Sequence, residues 1–269
     1  MEHKMEKQHS TELETARHSA AHILAQAVLK VRPGAKLGFG PAIEDGFYYD
    51  FILPEPIGEE DLKSIEKEMK KIVSSNQKFE REELPLEKAV ERLREMGQEF
   101  KIEYLNDLAK ERNINTFSFY KNGPFMDMCE GPHVEATNKI KADSFKLDRI
   151  AGAYWRGSEK NPMMTRIYAL MFETREALDD FLKRRELALQ RDHKKLGHEL
   201  EIFTIAEEIG VGLPLWLPNG TVIREELEKL AKEMEFKQGY KRVVTPQITK
   251  EGLYHTSGHL PYYKDAMFP

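Results

Sequence analysis

Cysteine is almost absent from this sequence: Cys129 is the single one among 269 residues. One cysteine excludes a disulfide within the chain and is typical of a reducing compartment. Long apolar runs are also missing, since no stretch approaches the roughly 20 residues of a membrane-spanning helix. The charged first residues lack the apolar segment of a signal peptide. We therefore expect a cytoplasmic protein with no membrane partner.

The chain also lacks a strong excess of charge of either sign. Lys and Arg number 41 against 46 Asp and Glu, which gives a net charge of −5. Such a balance provides no overall attraction to nucleic acid, so any RNA contact must come from a local basic patch. Apolar residues make up 40% of the sequence, enough for folded cores, and the length suits two domains.

Residues 1–172 combine helical periods with short β runs. Asp-Gly at 45–46 and Asn-Gly at 122–123 each separate two such runs, which predicts two hairpins. We expect an α+β fold here, a largely antiparallel sheet with packed helices. Helices are predicted over 11–30, 59–76, 85–97 and 103–112, and further strands over 145–155 and 163–172.

The remaining chain predicts a linker and the start of a second domain. Residues 173–198 form a charged linker helix interrupted at Gly197, and its basic residues are most simply a solvated face. From 199 to 269 we expect a long helix capped by Thr221 and a strand over 240–245, too little sequence for a complete core. An apolar stripe on the long helix predicts dimerisation or packing against the chain: Ile223, Leu227, Leu230 and Met234.

The candidate catalytic or metal-binding residues fall into two pairs, and the members of each pair are four positions apart. His18 and His22 share one face of the first helix, and Cys129 and His133 repeat the spacing downstream. If the fold joins the pairs, three imidazoles and a thiol match the donors of a four-ligand zinc site. They could equally act as bases and hydrogen-bond donors around a substrate. The three residues between Cys129 and His133 disfavour a closed zinc knuckle.

Lys101 and Asp127 are the candidate charged partners of this quartet. Asp127 precedes Cys129 by two residues, so the chain itself keeps them close. Lys101 lies between Phe100 and Ile102 and has no such connection. Either residue could instead be an exposed surface charge, and the sequence favours Asp127 as the partner.

Several segments resemble class II aminoacyl-tRNA synthetases, in particular the threonyl-tRNA synthetase family. The helix, Gly-Tyr junction, strand and proline from Ile223 to Pro246 resemble motif 1, and residues 256–268 resemble the stretch that follows it, departing at Leu260-Pro261. Four further segments are similar to the editing domain of that family: His18-x3-His22, Gly46–Asp50, Cys129–His133 and Ala151–Gly157.

The resemblance implies an editing domain at 1–172, a linker helix at 173–198 and a truncated class II catalytic domain at 199–269. It implies hydrolysis of mischarged Ser-tRNA(Thr) by this chain and ligation of threonine by the full enzyme. The implied pocket residues are His18, His22, Cys129, His133 and Tyr49, with Lys101 and Asp127 in water activation or amine binding. Related alanyl-editing domains use zinc at such a quartet, and we favour hydrolysis without metal.

The resemblance also implies cofactors and partners. ATP, Mg²⁺ and a catalytic zinc belong to motifs that follow residue 269, so we expect no ATP-binding residue in this chain. The expected partners are tRNA(Thr) and a second subunit through motif 1. The alternatives are a freestanding alanyl-type trans-editing deacylase and a zinc-stabilised tRNA-binding or dimerisation module.

Overall fold

The computed structural model describes residues 12–210 and 212–266, which form two compact units divided between Glu186 and Leu187. The predicted divisions at 172 and 198 remain predictions. Thr11, the first residue of the predicted N-terminal helix, lies outside the described residues. In chain order the elements begin with α1 Glu12–Val31, β1 Lys36–Leu37, β2 Ala42–Ile43, β3 Gly46–Ile52, α2 Glu59–Ser74, β4 Phe79–Pro85, α3 Leu86–Glu95 and α4 Glu99–Arg112. They continue with β5 Thr116–Asn122, β6 Phe125–Met128, β7 Phe145–Tyr154, β8 Met163–Met171 and α5 Arg175–Gln190.

The main sheet of the first unit is antiparallel, with the order β1-β3-β8-β7 and β2 also paired to β3. Side chains alternate across β3, so Phe47, Tyr49 and Phe51 are fully buried beneath α1, while Tyr48 is half-buried on the opposite face. The pairing of β2 with β3 across the turn before Gly46 confirms the predicted hairpin. One face of the sheet is buried against the core, and the opposite face is accessible.

A second antiparallel sheet, β4-β5-β6, packs with α3 and α4 around its own core. Its hairpin turns at Gly123, where φ is +56° and a side chain would collide with Gln77, as the Asn-Gly prediction requires. The sequence did not predict β4, because its charged residues are exposed and Leu84 is its one buried side chain. The first unit is therefore a mixed α and β structure with two hydrophobic cores.

The predicted start of the fourth helix at 103 is wrong. α4 begins at Glu99, because Gly97 adopts φ +68° and turns the chain directly after α3. The Gln98 side chain then accepts a hydrogen bond of 2.6 Å from the Leu37 backbone N–H of the main sheet. The earlier start places Lys101 in the first turn of a helix that is joined to both cores.

The prediction of one helix over 173–198 is also wrong. α5 ends at Gln190, and α6 runs over His193–Glu199 after an interruption at residues 191–192. Asp192 causes the second start, since its carboxylate accepts hydrogen bonds from the backbone N–H groups of Lys194 and Lys195. Gly197 does not end the helix. It lies buried inside α6, where a side chain would collide with the Phe203 ring.

The second unit contains few paired strands: β9 Phe203–Thr204 pairs with β10 Leu215–Trp216. The long helix α7 spans Pro218–Lys237, so Thr221 lies inside it and does not cap it, because Pro218 suits the first turn. The predicted strand over 240–245 is wrong: none of these residues pairs within the described ranges, and Val244 is 90% exposed. Short helices follow at α8 Gly252–Thr256 and α9 His259–Tyr262.

The predicted apolar stripe of α7 is exposed in the described chain. Its four side chains are each about half exposed: Ile223, Leu227, Leu230 and Met234. The described residues therefore leave this face of α7 uncovered. None of the described helices is long and apolar enough to cross a membrane.

Candidate functional site

The two spaced pairs meet in the first unit, between its two cores. The Cys129 Sγ lies 3.1 Å from His18 Nε2 and 3.4 Å from His133 Nε2. One nitrogen or sulfur from each of His18, His22, Cys129 and His133 lies within 4.8 Å of the others. α1 supplies two members, and the chain after β6 supplies the others. The structure therefore joins four residues that the sequence could only pair.

The turn after Cys129 depends on a glycine. Gly131 has φ +75°, and a Cβ there would lie 2.4 Å from the Tyr120 hydroxyl oxygen. Its backbone N–H donates to Cys129 Sγ over 3.2 Å. The contact of the Gly131 backbone with Cys129 directs the thiol toward α1, and the turn at Gly131 brings the following residues back to place His133 in the site.

A buried charged group lies beside the quartet. Lys101, Asp127 and Tyr49 are all at most 2% exposed. The Lys101 ammonium forms an ion pair with Asp127 and donates a hydrogen bond of 3.1 Å to the Tyr49 oxygen, and the Tyr49 hydroxyl donates to Asp127. Asp127 Oδ2 lies 4.0 Å from His22 Nε2. Lys101 and Asp127 are therefore interior groups, which excludes the alternative that either is an exposed charge.

Ser19 is a site residue that the sequence analysis missed. Its side-chain oxygen lies 3.0 Å from His133 Nδ1 and accepts a 3.0 Å hydrogen bond from the Val134 backbone N–H. Position 19 adjoins His18, but nothing in the sequence distinguishes this serine from other helical serines. It connects α1 directly to the segment carrying His133 and fixes the orientation of that imidazole.

Burial determines the charge states of the quartet. Loss of hydration lowers the pKa of His18, His22 and His133, while a hydrogen bond to the Pro132 carbonyl opposes the shift of His18. Burial raises the pKa of the Cys129 thiol to about 12 and that of the Tyr49 phenol well above its usual range. Without metal, the three imidazoles are neutral at pH 7, and Cys129 carries its proton and is not a thiolate nucleophile.

A cavity of about 360 Å³ opens beside these groups. Its wall contains six of the seven predicted site residues: His18, His22, Tyr49, Lys101, Asp127 and Cys129. The seventh, His133, packs between the rings of Phe79 and Tyr120, with centroid distances of 4.8 and 4.4 Å. The volume is that of a small-ligand pocket rather than of a helix or strand groove.

The quartet also fits a zinc ion. Three imidazoles and a thiol are zinc donors, and they are already gathered. Moreover, the buried His22 Nδ1 has no hydrogen-bond partner among the described residues. An unpartnered buried nitrogen is destabilising unless a ligand satisfies it. The residues that would hold the metal are His18, His22, Cys129 and His133.

An aromatic and ionic clamp connects the loop after β7 to α4. The Trp155 ring stacks on Phe39, which lines the cavity, with centroids 5.1 Å apart. The Arg156 guanidinium donates to Asp107 over 2.5 Å and to Glu103 over 3.5 Å. Arg156 adopts φ +54°, a conformation uncommon for arginine. The clamp holds the main sheet against the helix that carries Lys101.

Comparison with known proteins identifies the class of this fold and site. Residues 117–168 match the family model described as the threonyl and alanyl tRNA synthetase second additional domain. The matched segment contains Asp127, Cys129 and His133, three of the residues gathered above.

Comparisons that extend over nearly the whole of this chain identify the particular family. The chain is 48% identical over 96% of its length to a threonine–tRNA ligase of Gloeobacter violaceus and 49% identical over 94% to that of Acetivibrio thermocellus. It is 50% identical over 96% of its length to that of Dehalococcoides mccartyi. It spans 40%, 39% and 43% of these relatives, respectively. The chain belongs to the threonine–tRNA ligase family, as its motifs predicted.

Proposed function

We propose that the first unit hydrolyses seryl-tRNA(Thr), the product formed when a threonine–tRNA ligase attaches serine by mistake. The observation that carries the proposal is the buried Lys101–Asp127 ion pair beside neutral imidazoles in one small cavity. A structural core gains little from such a pair, since apolar residues of similar size are often at least as stabilising. A catalytic role therefore explains this cluster of buried ionisable groups better than a structural role does.

The need for such an activity follows from the similarity of the two amino acids. Serine lacks one methyl group of threonine, and a methylene-sized difference supports only about 10–200-fold discrimination in one binding site. A second pocket that accepts serine and excludes the larger side chain removes the error. The cavity of about 360 Å³ suits an aminoacyl group attached to one nucleoside.

The chemistry requires a base, stabilisation of the oxyanion and a binding site for the amine. In our proposal His18 or His22 accepts a proton as the water oxygen adds to the ester carbonyl carbon, and Lys101 stabilises the developing oxyanion. The proton then passes to the departing ribose oxygen, which releases serine and free tRNA. Asp127 and Tyr49 hold Lys101 in place, and Asp127 also faces the amino group of the substrate.

The test is deacylation of radiolabelled aminoacyl-tRNA by the purified chain. We expect rapid release of serine from Ser-tRNA(Thr), little release of threonine from Thr-tRNA(Thr), and slower release from Ser-tRNA(Ala). A preference for Ser-tRNA(Ala) would instead support an alanyl-type trans-editing deacylase. No release above the uncatalysed rate by a folded chain would contradict the proposed function.

A zinc-stabilised tRNA-binding or dimerisation module is the second candidate, favoured by the quartet and the unpartnered His22 nitrogen. Bound zinc would act as a Lewis acid or as a structural ligand centre. We favour hydrolysis without metal and expect deacylation and thermal stability to persist after chelation. The rival predicts that chelation unfolds the first unit, and that Cys129→Ala does the same. We expect Cys129→Ala to remain folded with impaired deacylation.

Arg156→Ala tests whether the clamp positions Lys101. The Arg156 ion pairs are solvent-exposed, so their loss should lower the free energy of unfolding by less than about 1 kcal/mol. A small displacement of α4 should nevertheless lower deacylation about tenfold. Arg156→Lys, which can retain one ion pair, should recover part of the rate. Equal activity of Arg156→Ala and the parent chain would show that the clamp does not influence the site.

The partners and setting of the protein are further proposals. We propose that tRNA(Thr) is the bound RNA, that the exposed stripe of α7 joins two subunits, and that the protein works in the cytoplasm, where its free Cys129 stays reduced. Ligation of threonine with ATP, Mg²⁺ and a catalytic zinc is proposed for the full-length family architecture. We assign no residue of this chain to ATP or to that zinc.

A further inference from the structure

The open face of the main sheet carries tyrosines and arginines in contact with one another. Tyr48 on β3 and Tyr168 on β8 are directly paired, with ring centroids 5.6 Å apart. The Arg166 guanidinium lies 3.8 Å from the Tyr48 centroid, and that of Arg149 lies 4.3 Å from the Tyr168 centroid. We call these four residues the Tyr–Arg strip. All four are half-buried or exposed, so the strip is accessible.

The strip has a surplus of positive charge. Arg166 is neutralised by Asp50, which accepts hydrogen bonds of 2.7 and 2.8 Å from its Nε and Nη2. Arg149, by contrast, forms no ion pair with any described residue and is exposed. Lys146, exposed on the same strand, is likewise without an ion pair in the described ranges. Phosphate groups would supply the missing negative charge.

The strip is continuous with the candidate site. Tyr48 belongs to the wall of the cavity that contains His18 and Cys129. From there the strip crosses β3, β8 and β7 in the order of the sheet. Two strand spacings of about 4.8 Å give a span of about 10 Å, enough for one or two nucleotides beyond a group held in the cavity.

We propose that the Tyr–Arg strip binds the unpaired nucleotides that precede the esterified 3′-terminal nucleotide of the substrate RNA, an inference that rests on the proposed function. Single-stranded RNA is recognised by stacking of its bases on aromatic rings and guanidinium planes. Cations beside the stacking groups bind the intervening phosphates. The strip provides both components at the edge of the cavity, and it does so independently of base sequence.

The first experiment measures RNA binding without any reaction. A fluorescein-labelled single-stranded RNA ending in CCA is titrated with the protein at low ionic strength, and anisotropy gives the Kd. We expect Arg149→Gln and Tyr168→Leu each to weaken binding about tenfold, and Tyr168→Phe, which keeps the ring, to bind as the parent does. Arg94→Gln, an exposed arginine on α3, is the matched control. Equal Kd values for all five proteins would overturn the proposal, whatever the catalytic result.

The second experiment separates the strip from the catalytic groups. Deacylation is measured with Ser-tRNA(Thr) and with a seryl ester of adenosine alone, which has no preceding nucleotide. We expect Arg149→Gln to lower kcat/KM about tenfold for the tRNA and to leave it unchanged for the seryl-adenosine. An equal loss with both substrates would contradict the inference. Normal RNA binding by the strip with no deacylation of either substrate would contradict only the proposed function.

Discussion

Lys101→Met is expected to lower deacylation of Ser-tRNA(Thr) at least about 100-fold, the effect typical of losing one oxyanion-stabilising group. It is also expected to lower the free energy of unfolding by about 3–5 kcal/mol, because the Asp127 carboxylate would remain buried without its partner. Both residues are almost completely enclosed, so water cannot replace the lost ammonium group. Single-turnover deacylation and urea unfolding measure the two effects.

A double variant separates these two roles of Lys101. Lys101→Met with Asp127→Leu removes both charges, so it should recover much of the lost stability while remaining inactive. Lys36→Met is the matched control, since Lys36 forms an exposed ion pair with Glu99 in the same helix. A stable double variant that recovers activity would show that the pair serves the fold alone. Full activity of the single variant would remove Lys101 from the proposed mechanism.

The sequence was most informative where local rules determine the structure. The Asn-Gly turn at 122–123 and the amphipathic pattern of α2 each identify an element through its own residues. The predicted strand over 240–245 failed because a strand also needs a partner, and local sequence does not reveal one. β4 was missed for the opposite reason, since it is paired by β5 although its residues are charged and exposed.

The candidate site was partly predictable for a similar reason. The shared helix face of His18 and His22 follows from helix geometry, and the same spacing indicated Cys129 and His133 as a second pair. Their convergence is a tertiary property, because 111 residues separate His18 from Cys129. The contact of Ser19 with His133 could not be predicted, since it depends on how α1 meets the chain after β6. The family resemblance indicated the substrate and the roles of Tyr49, Lys101 and Asp127, which the spacing of the histidines and the cysteine does not reveal.

The position of the site between two cores explains why its residues come from distant segments. α1 and β3 belong to the core of the main sheet, whereas α4, β5 and β6 surround the second core. Lys101 and Asp127 come from the second core and contact Tyr49 from the first. Any relative movement of the cores therefore changes the catalytic geometry directly, which is why the exposed Arg156 clamp is expected to influence activity more than stability.

Acidification is expected to destabilise the metal-free first unit strongly below pH 6.5. Burial lowers the pKa of His18, His22 and His133 in the folded state, so the unfolded chain binds more protons as the pH falls through the ordinary histidine value. The first unit should therefore have its full stability above about pH 6.5 and lose stability as the pH falls below that value. At pH 5 the loss is about 2 kcal/mol for each histidine that stays unprotonated when folded.

The fluorescence of Trp155, which is buried in the first unit, measures this loss when Trp216→Phe removes the second tryptophan. Urea unfolding in the presence of a chelator from pH 7 to pH 5 should show a fall of about 4 kcal/mol or more, from His22 and His133 together. His22→Asn should reduce the dependence by about one proton, whereas His198→Gln, an exposed histidine, should leave it unchanged. A free energy of unfolding that stays constant over this range would mean that the imidazoles take up protons at the same pH in the folded and the unfolded chain, which would contradict the lowering of their pKa by burial.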